Sequence, residues 1–125
     1  MEYEIKVTNS HKFCDQDLND LVSTALEGGI TYWCGEAKVK EGSMSEEAYE
    51  SIEFTSDAVS KGGTLVLSDA ESDDTWELDR DKLLKGIQMY CENHNVAPSD
   101  LMDLYDANDA DTIVQYALFN ELVFS

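Results

Sequence analysis

The chain opens on a period of two. Tyr3, Ile5 and Val7 alternate with Glu4, Lys6 and Thr8, which predicts a half-buried strand. The period then lengthens. Leu18, Leu21, Val22, Ala25 and Leu26 fall at i, i+3, i+4, i+7 and i+8, one apolar helical face with Asp15 as its expected N-cap. Gly28-Gly29 is expected to end this helix, since glycine accepts the left-handed conformation at C′. Ile30–Cys34 is β-prone and predicts a strand that Ala37–Lys40 extends. Residues 41–55 fit no single period. Ser45-Glu46-Glu47 has the chemistry of a helix start, but Ile52-Glu53-Phe54 offers no helical face. Thr55 or Ser56 is expected to cap a short helix through Lys61, stopped by Gly62-Gly63.

Thr64–Leu67 and Thr75–Leu78 read as two strands, with the acidic, turn-rich Ser68–Asp74 between them. A β-hairpin fits, although its loop is longer than the favoured two residues. Asp79 caps a predicted helix whose inner positions are Leu83, Leu84, Ile87, Tyr90 and Cys91, and Pro98 interrupts any continuation. Asp106 or Asn108 caps a last helix that turns Ile113, Val114, Ala117 and Leu118 inward. Leu122-Val123-Phe124 is too apolar to dangle and is expected to dock as a short edge strand. Helices and hairpin strands mix without a βαβ rhythm. The expectation is therefore α+β: a single compact domain over residues 1–125, with a small, mostly antiparallel sheet packed against three or four helices.

Composition fits that expectation. A length of 125 residues suits one domain with a core of its own. Ten per cent aromatic residues and a single proline argue against a disordered chain. Charge changes the picture more. There are 27 acidic and 8 basic residues, so the formal charge is 8 − 27 = −19. Spread over the roughly 6,700 Å² that a fold of this mass exposes, this is about one net negative charge per ~350 Å². Such a surface repels nucleic acid and anionic membranes and attracts basic partners. No run of about 20 apolar residues suggests a membrane span. Met1-Glu2-Tyr3-Glu4 lacks the basic and apolar regions of a secretory leader. Cys14, Cys34 and Cys91 are odd in number and widely spaced, which points to reduced thiols in the cytoplasm.

Candidate chemistry is sparse. His11, His94 and the three cysteines share no metal-ligand spacing, so no metal or cofactor is expected. Asp106–Asp111 begins like a calcium loop, but Ala110, Asp111 and Ala117 occupy three positions that such a loop reserves for other residues. Asp69–Asp74 fails likewise, with Asp74 sixth and Arg80 twelfth. There is no G-x-S-x-G and no phosphate-cradling glycine loop. A thiol enzyme working through Cys34 or Cys91 is an alternative with no local motif behind it. The expectation is a protein that is not an enzyme.

Two features remain. Gly28–Cys34 leads a glycine pair into Tyr32 and Trp33. Gly29, Tyr32 and Trp33 are thus candidate contacts for a ligand or partner, against the plainer reading of a capped helix and a core strand. The second feature is the placement of acid. Asp69, Glu71, Asp73, Asp74, Glu77, Asp79 and Asp81 crowd the hairpin and the helix start after it. Asp100, Asp103, Asp106, Asp109 and Asp111 recur about every third residue. A charge of −19 exceeds the magnitude of about 2–8 that solubility asks for. These carboxylates are the candidate partner-binding surface.

Leu26–Cys34 (LEGGITYWC), Ser60–Leu65, Leu83–Ile87 and Asp109–Phe124 (ending QYALFNELVF) follow one another as blocks. In this order they resemble a set of small acidic proteins carried by phages, prophages and integrative elements of gut and related bacteria. The resemblance runs from about residue 15 to the C-terminal residues, and Gly42–Ile52 departs from it. It transfers no catalytic residue. It implies a mobile-element protein in the cytoplasm of a bacterial host. By analogy with host-defence inhibitors of similar size and charge, it also implies a non-enzymatic inhibitor. Such a protein would occupy the basic surface of a host nuclease or other nucleic-acid-handling protein by nucleic-acid mimicry, without binding nucleic acid itself. One alternative is a sponge that forms a homo-oligomer and encloses a nucleotide signal near Gly29, Tyr32 and Trp33. Another is a small accessory protein of the element.

Overall fold

The 3.6-residue period at Leu18, Leu21 and Val22 builds α1 (Asp15–Thr24), whose buried face is those three side chains. The structure, a computed structural model, describes residues 12–125, and the strand expected at Tyr3–Val7 lies outside them. Cys14, not Asp15, is the N-cap of α1. Its backbone is extended, and its N–H donates to the Asp17 carboxylate at 3.0 Å. The cap lies one residue earlier than expected because Asp15 itself takes helical geometry and places its charge in the first turn, where the helix dipole favours it.

The glycine pair ends this helix by another route than expected. Residues Ala25–Gly29 widen into a π-turn, and Ile30 N–H donates to Ala25 O at 2.9 Å. Neither Gly28 nor Gly29 has positive φ. Gly29 is needed for space: a Cβ there would lie 2.5 Å from Ala107 O. Ile30–Trp33 is accordingly a tight turn and not a strand, with Trp33 N–H and Cys34 N–H both donating to Ile30 O.

β1 (Cys34–Val39) pairs antiparallel with β2 (Leu65–Asp69), and β2 pairs antiparallel with β3 (Thr75–Leu78). A bulge at Gly35 shifts the first register, and the period of two then holds. Ala37–Leu67–Trp76 and Val39–Leu65–Leu78 form two rows on the face that carries the buried leucines. Lys38–Val66–Glu77 and Glu36–Ser68–Thr75 form the rows of the outer face.

The ambiguous 41–55 segment contains α2 (Glu46–Ser51), and Ser45 Oγ caps it by accepting from Ala48 N–H at 3.1 Å. One 3₁₀ turn, Thr55–Asp57, stands where a helix through Lys61 was expected, and turns carry the chain to Gly62, which takes φ +91°. α3 (Arg80–His94) is capped by Asp79, which accepts from Lys82 N–H, and is closed by left-handed Asn95. Pro98 does not merely interrupt. It occupies the first turn of an additional helix, α4 (Pro98–Leu104), where its missing N–H costs nothing. α5 (Ala107–Phe119) is capped by Asp106 and ends at Asn120 with φ 63°. Gly86 lets α3 cross α5 closely, since a Cβ on it would stand 2.4 Å from Ile113 O. Five helices and a three-stranded antiparallel sheet among the described residues make the domain α+β, with Leu21, Leu65, Leu67, Leu83, Ile113 and Val114 at its core.

Candidate functional site

α5 carries two polar residues inward. Asp111 and Gln115 stand one turn apart among Ala110, Ile113, Val114 and Ala117, and both are buried. A carboxylate removed from water must find donors. Asp111 has three. The Tyr32 hydroxyl donates to Oδ2 at 2.6 Å, the Trp33 indole to Oδ1 at 2.8 Å and the Gln115 amide to Oδ1 at 2.9 Å. The close approach at Gly29 brings the Tyr32-Trp33 turn within reach of α5. Burial, followed by the bond to Asp111, pushes the Tyr32 hydroxyl from its ordinary pKa of 10.0 up to about 12.

Gln115 also secures the residues beyond α5. Its Oε1 accepts from both Val123 N–H and Phe124 N–H at 2.8 Å, and its Nε2 donates to Phe124 O at 3.2 Å. Among the described residues, the expected edge strand at Leu122–Phe124 is therefore a strap whose main chain is hydrogen-bonded by one side chain, with no sheet ladder. The reason is that a buried amide supplies the main-chain partners that a neighbouring strand would otherwise give. The Phe124 ring stacks on Trp33 at 4.9 Å, with Trp76 and Phe119 edge-on around it.

The three contact residues expected from the sequence are thus brought together, with unequal access. Gly29 is packed against α5, and Trp33 is 3% exposed under Phe124. Tyr32 keeps an exposed ring face.

The candidate acids separate into two groups. Asp111 is 8% exposed and faces the interior, so it does not belong to the surface on which it was expected. Asp79 and Asp106 cap helices, and Asp106 and Asp109 exchange backbone bonds across the first turn of α5. Asp109 also accepts from the Tyr90 hydroxyl at 2.7 Å. Burial and this carboxylate push the Tyr90 pKa upward. Glu77 pairs with Lys40 at 3.0 Å. Glu71, Asp73, Asp74, Asp81, Asp100 and Asp103 are exposed, without an ion pair among the described residues.

The hairpin loop is fixed from within. Asp69 Oδ1 accepts from Glu71 N–H at 2.7 Å, Asp69 N–H donates to Asp74 O at 2.9 Å, and Ser72 Oγ accepts from Asp74 N–H at 3.2 Å. Ala70 N–H donates to Trp33 O, which ties the loop to the aromatic turn.

Cys34 and Cys91 are buried, and desolvation raises both thiol pKa values. His94 stacks on Tyr90 at 4.2 Å, and its Nε2 lies 3.3 Å from the Tyr116 hydroxyl. Among the described residues no three or more His, Cys, Asp or Glu side chains gather as a metal site, and no helix is long and apolar enough to cross a membrane. Comparison of the chain with protein-family models, curated proteins and solved structures finds no match. The residue that sequence reasoning missed is Gln115. Its signal was available: Asp111, Val114, Gln115 and Leu118 share one helical stripe, and two polar residues on an apolar stripe mark a buried network.

Proposed function

We propose that the chain is a non-enzymatic, acidic binding protein of a phage or mobile element, acting in the bacterial cytoplasm. It occupies the basic surface of a host defence or nucleic-acid-handling protein and mimics the charge of nucleic acid. The observation that carries this reading is the mismatch between charge and compensation: a net charge of −19 meets three ion pairs among the described residues. Rigidity adds to it. Glu71, Asp73 and Asp74 sit on a loop whose backbone is tied at both ends, so little ordering is lost when it meets a partner. Asp100 and Asp103, three apart on α4, set their Cβ atoms about 5–6 Å apart. Phosphates on one strand advance ~3.4 Å each along the duplex axis, so both arrays present a negative charge every few ångströms.

The test is capture from a bacterial lysate with and without competing duplex DNA. Basic DNA-binding proteins are expected on the full chain at about 0.1 M salt. They should leave at about 1 M, where the Debye length falls from about 10 to about 3 Å, and DNA should displace them. A hairpin variant (Glu71→Gln, Asp73→Asn, Asp74→Asn, Glu77→Gln) should lose them. An α2 variant of similar charge change (Glu46→Gln, Glu47→Gln, Glu50→Gln) should keep them. Capture indifferent to DNA, salt and the hairpin variant would end this reading.

A further inference from the structure

The strap at residues 122–124 is bound as a peptide is bound. Its recognition has two parts. One is independent of side-chain identity: a single amide, Gln115, takes two main-chain N–H groups at 2.8 Å and gives a bond to one carbonyl at 3.2 Å. The other is a pocket for one aromatic ring, floored by Trp33 and walled by Trp76 and Phe119. The receptor side has contacts of its own besides those to the strap. Gln115 is fully buried and anchored to Asp111, Trp33 is anchored to the same carboxylate, and Trp76 and Phe119 meet edge to face at 5.3 Å. The strap, by contrast, belongs to no helix or strand, and its Leu122 and Val123 side chains are more than half exposed.

We infer that Leu122–Phe124 is an intramolecular occupant of a peptide-binding groove, which takes in trans an extended apolar–aromatic segment with cationic flanks. The ring pocket and the amide set the apolar–aromatic part. Charge sets the flanks: the chain carries 27 acidic against 8 basic residues, and Glu121 directly precedes the strap. An anionic segment is repelled from such a surface, and a basic one is drawn to it. This inference goes beyond the acidic-surface reading and does not depend on it.

The probe is a labelled peptide, Lys-Lys-Leu-Val-Phe-Lys-Lys, titrated against the full wild-type chain and against full-length Phe124→Ala, which empties the pocket in cis. The variant should bind roughly tenfold or more tighter than wild type, and a peptide with alanine for phenylalanine should bind roughly tenfold or more weaker. Equal binding of both peptides means simple adherence to acid and overturns the inference, as does binding of neither by a folded variant. A dimer of the wild-type chain that Phe124→Ala abolishes would give the groove to a second copy and overturn the foreign segment. Should Phe124→Ala fail to fold, amide exchange in the wild type decides. Val123 and Phe124 amides exchanging well ahead of Val114 and Tyr116 support a releasable strap, and exchange at the rate of those core amides rules it out.

Discussion

The indole nitrogen of Trp33 donates to the carboxylate of Asp111 at 2.8 Å, across 78 residues of chain. The bond joins the turn after α1 to the first half of α5, and the Tyr32 and Gln115 bonds converge on the same two oxygens. Asp111→Ala removes the shared acceptor and leaves the buried indole N–H without a partner. Its cost is expected to be on the order of 3 kcal/mol, since bonds to a charged group contribute about 1.5–3 kcal/mol each. Asp111→Asn keeps the shape and one acceptor, and about 1 kcal/mol is expected. Urea unfolding checks both: the midpoint should fall with the slope unchanged.

Where local chemistry decides structure, the sequence was readable. Asp79 caps the helix it was expected to cap, Asp106 is the one of the two candidates Asp106 and Asn108 that caps α5, and the Thr64–Leu67 and Thr75–Leu78 strands pair as the expected hairpin. Where a distant partner decides, it was not. Ile30–Trp33 has strand-forming residues, yet it turns because Gly29 must lie against Ala107 and Trp33 must reach Asp111. Leu122–Phe124 has the polarity of an edge strand, but a buried amide replaced the ladder. Proline stops helices from inside and starts them from the first turn, and periodicity alone does not separate the two, so the helix that Pro98 opens was not legible. The acidic candidates divided for the same reason: Asp111 differs from Asp103 in what faces it, which residue type does not record.

Neighbouring glycines should respond in opposite ways. A Cβ at Gly28 meets its nearest atom at 3.7 Å, an ordinary contact, whereas one at Gly29 meets Ala107 O at 2.5 Å and one at Gly86 meets Ile113 O at 2.4 Å. Gly28→Ala is expected to be neutral or mildly stabilising. Within α3, Gly86→Ala should gain about 1 kcal/mol of helix propensity. Forcing α3 from α5 should outweigh that at about 1–3 kcal/mol or more. Melting temperatures should therefore hold for Gly28→Ala and fall for Gly29→Ala and Gly86→Ala.

Alkaline pH should loosen the fold through tyrosine. The folded pKa of Tyr32 stands at about 12 against 10.0 for the free side chain. Below pH 10 its contribution is whole. Between pH 10 and 12 the unfolded chain releases the proton first, so stability falls as pH rises. Tyr90 is raised as well and adds in the same direction. Tyr32→Phe should flatten the decline in that window, as followed by tyrosinate absorbance alongside unfolding. A decline that is just as steep in Tyr32→Phe would dissociate Tyr32 from it.

Thiol reactivity should divide one to two. Cys14 is exposed at the start of α1, while Cys34 and Cys91 are buried with raised pKa values. The thiolate is the attacking species, so both burial and pKa slow the latter pair. One thiol should react promptly with an alkylating reagent under native conditions and two more after denaturation. Prompt reaction of Cys34 would show that the Ile30–Cys34 turn opens far more often than its bonds imply.

The surface charge sets a last expectation, and it runs opposite to that for a protein stabilised by salt bridges. Among the described residues the three ion pairs, Lys38–Glu36, Lys40–Glu77 and Lys61–Asp15, all involve side chains about half exposed or more, so their loss to screening costs little. Repulsion among the remaining carboxylates is far more extensive, at −19 overall, and it acts against the compact state. Raising potassium chloride from about 0.01 M to about 1 M shortens the Debye length from about 30 to about 3 Å. That should remove more repulsion than attraction. If the balance is about 1 kcal/mol, a domain of this size should melt roughly 4 °C higher. Chloride is the right anion, because sulfate strengthens apolar burial by itself. The hairpin variant with four neutralised acids should already melt higher at low salt and gain less from added salt. A melting temperature that falls with chloride would mean that attraction, and not repulsion, governs this surface.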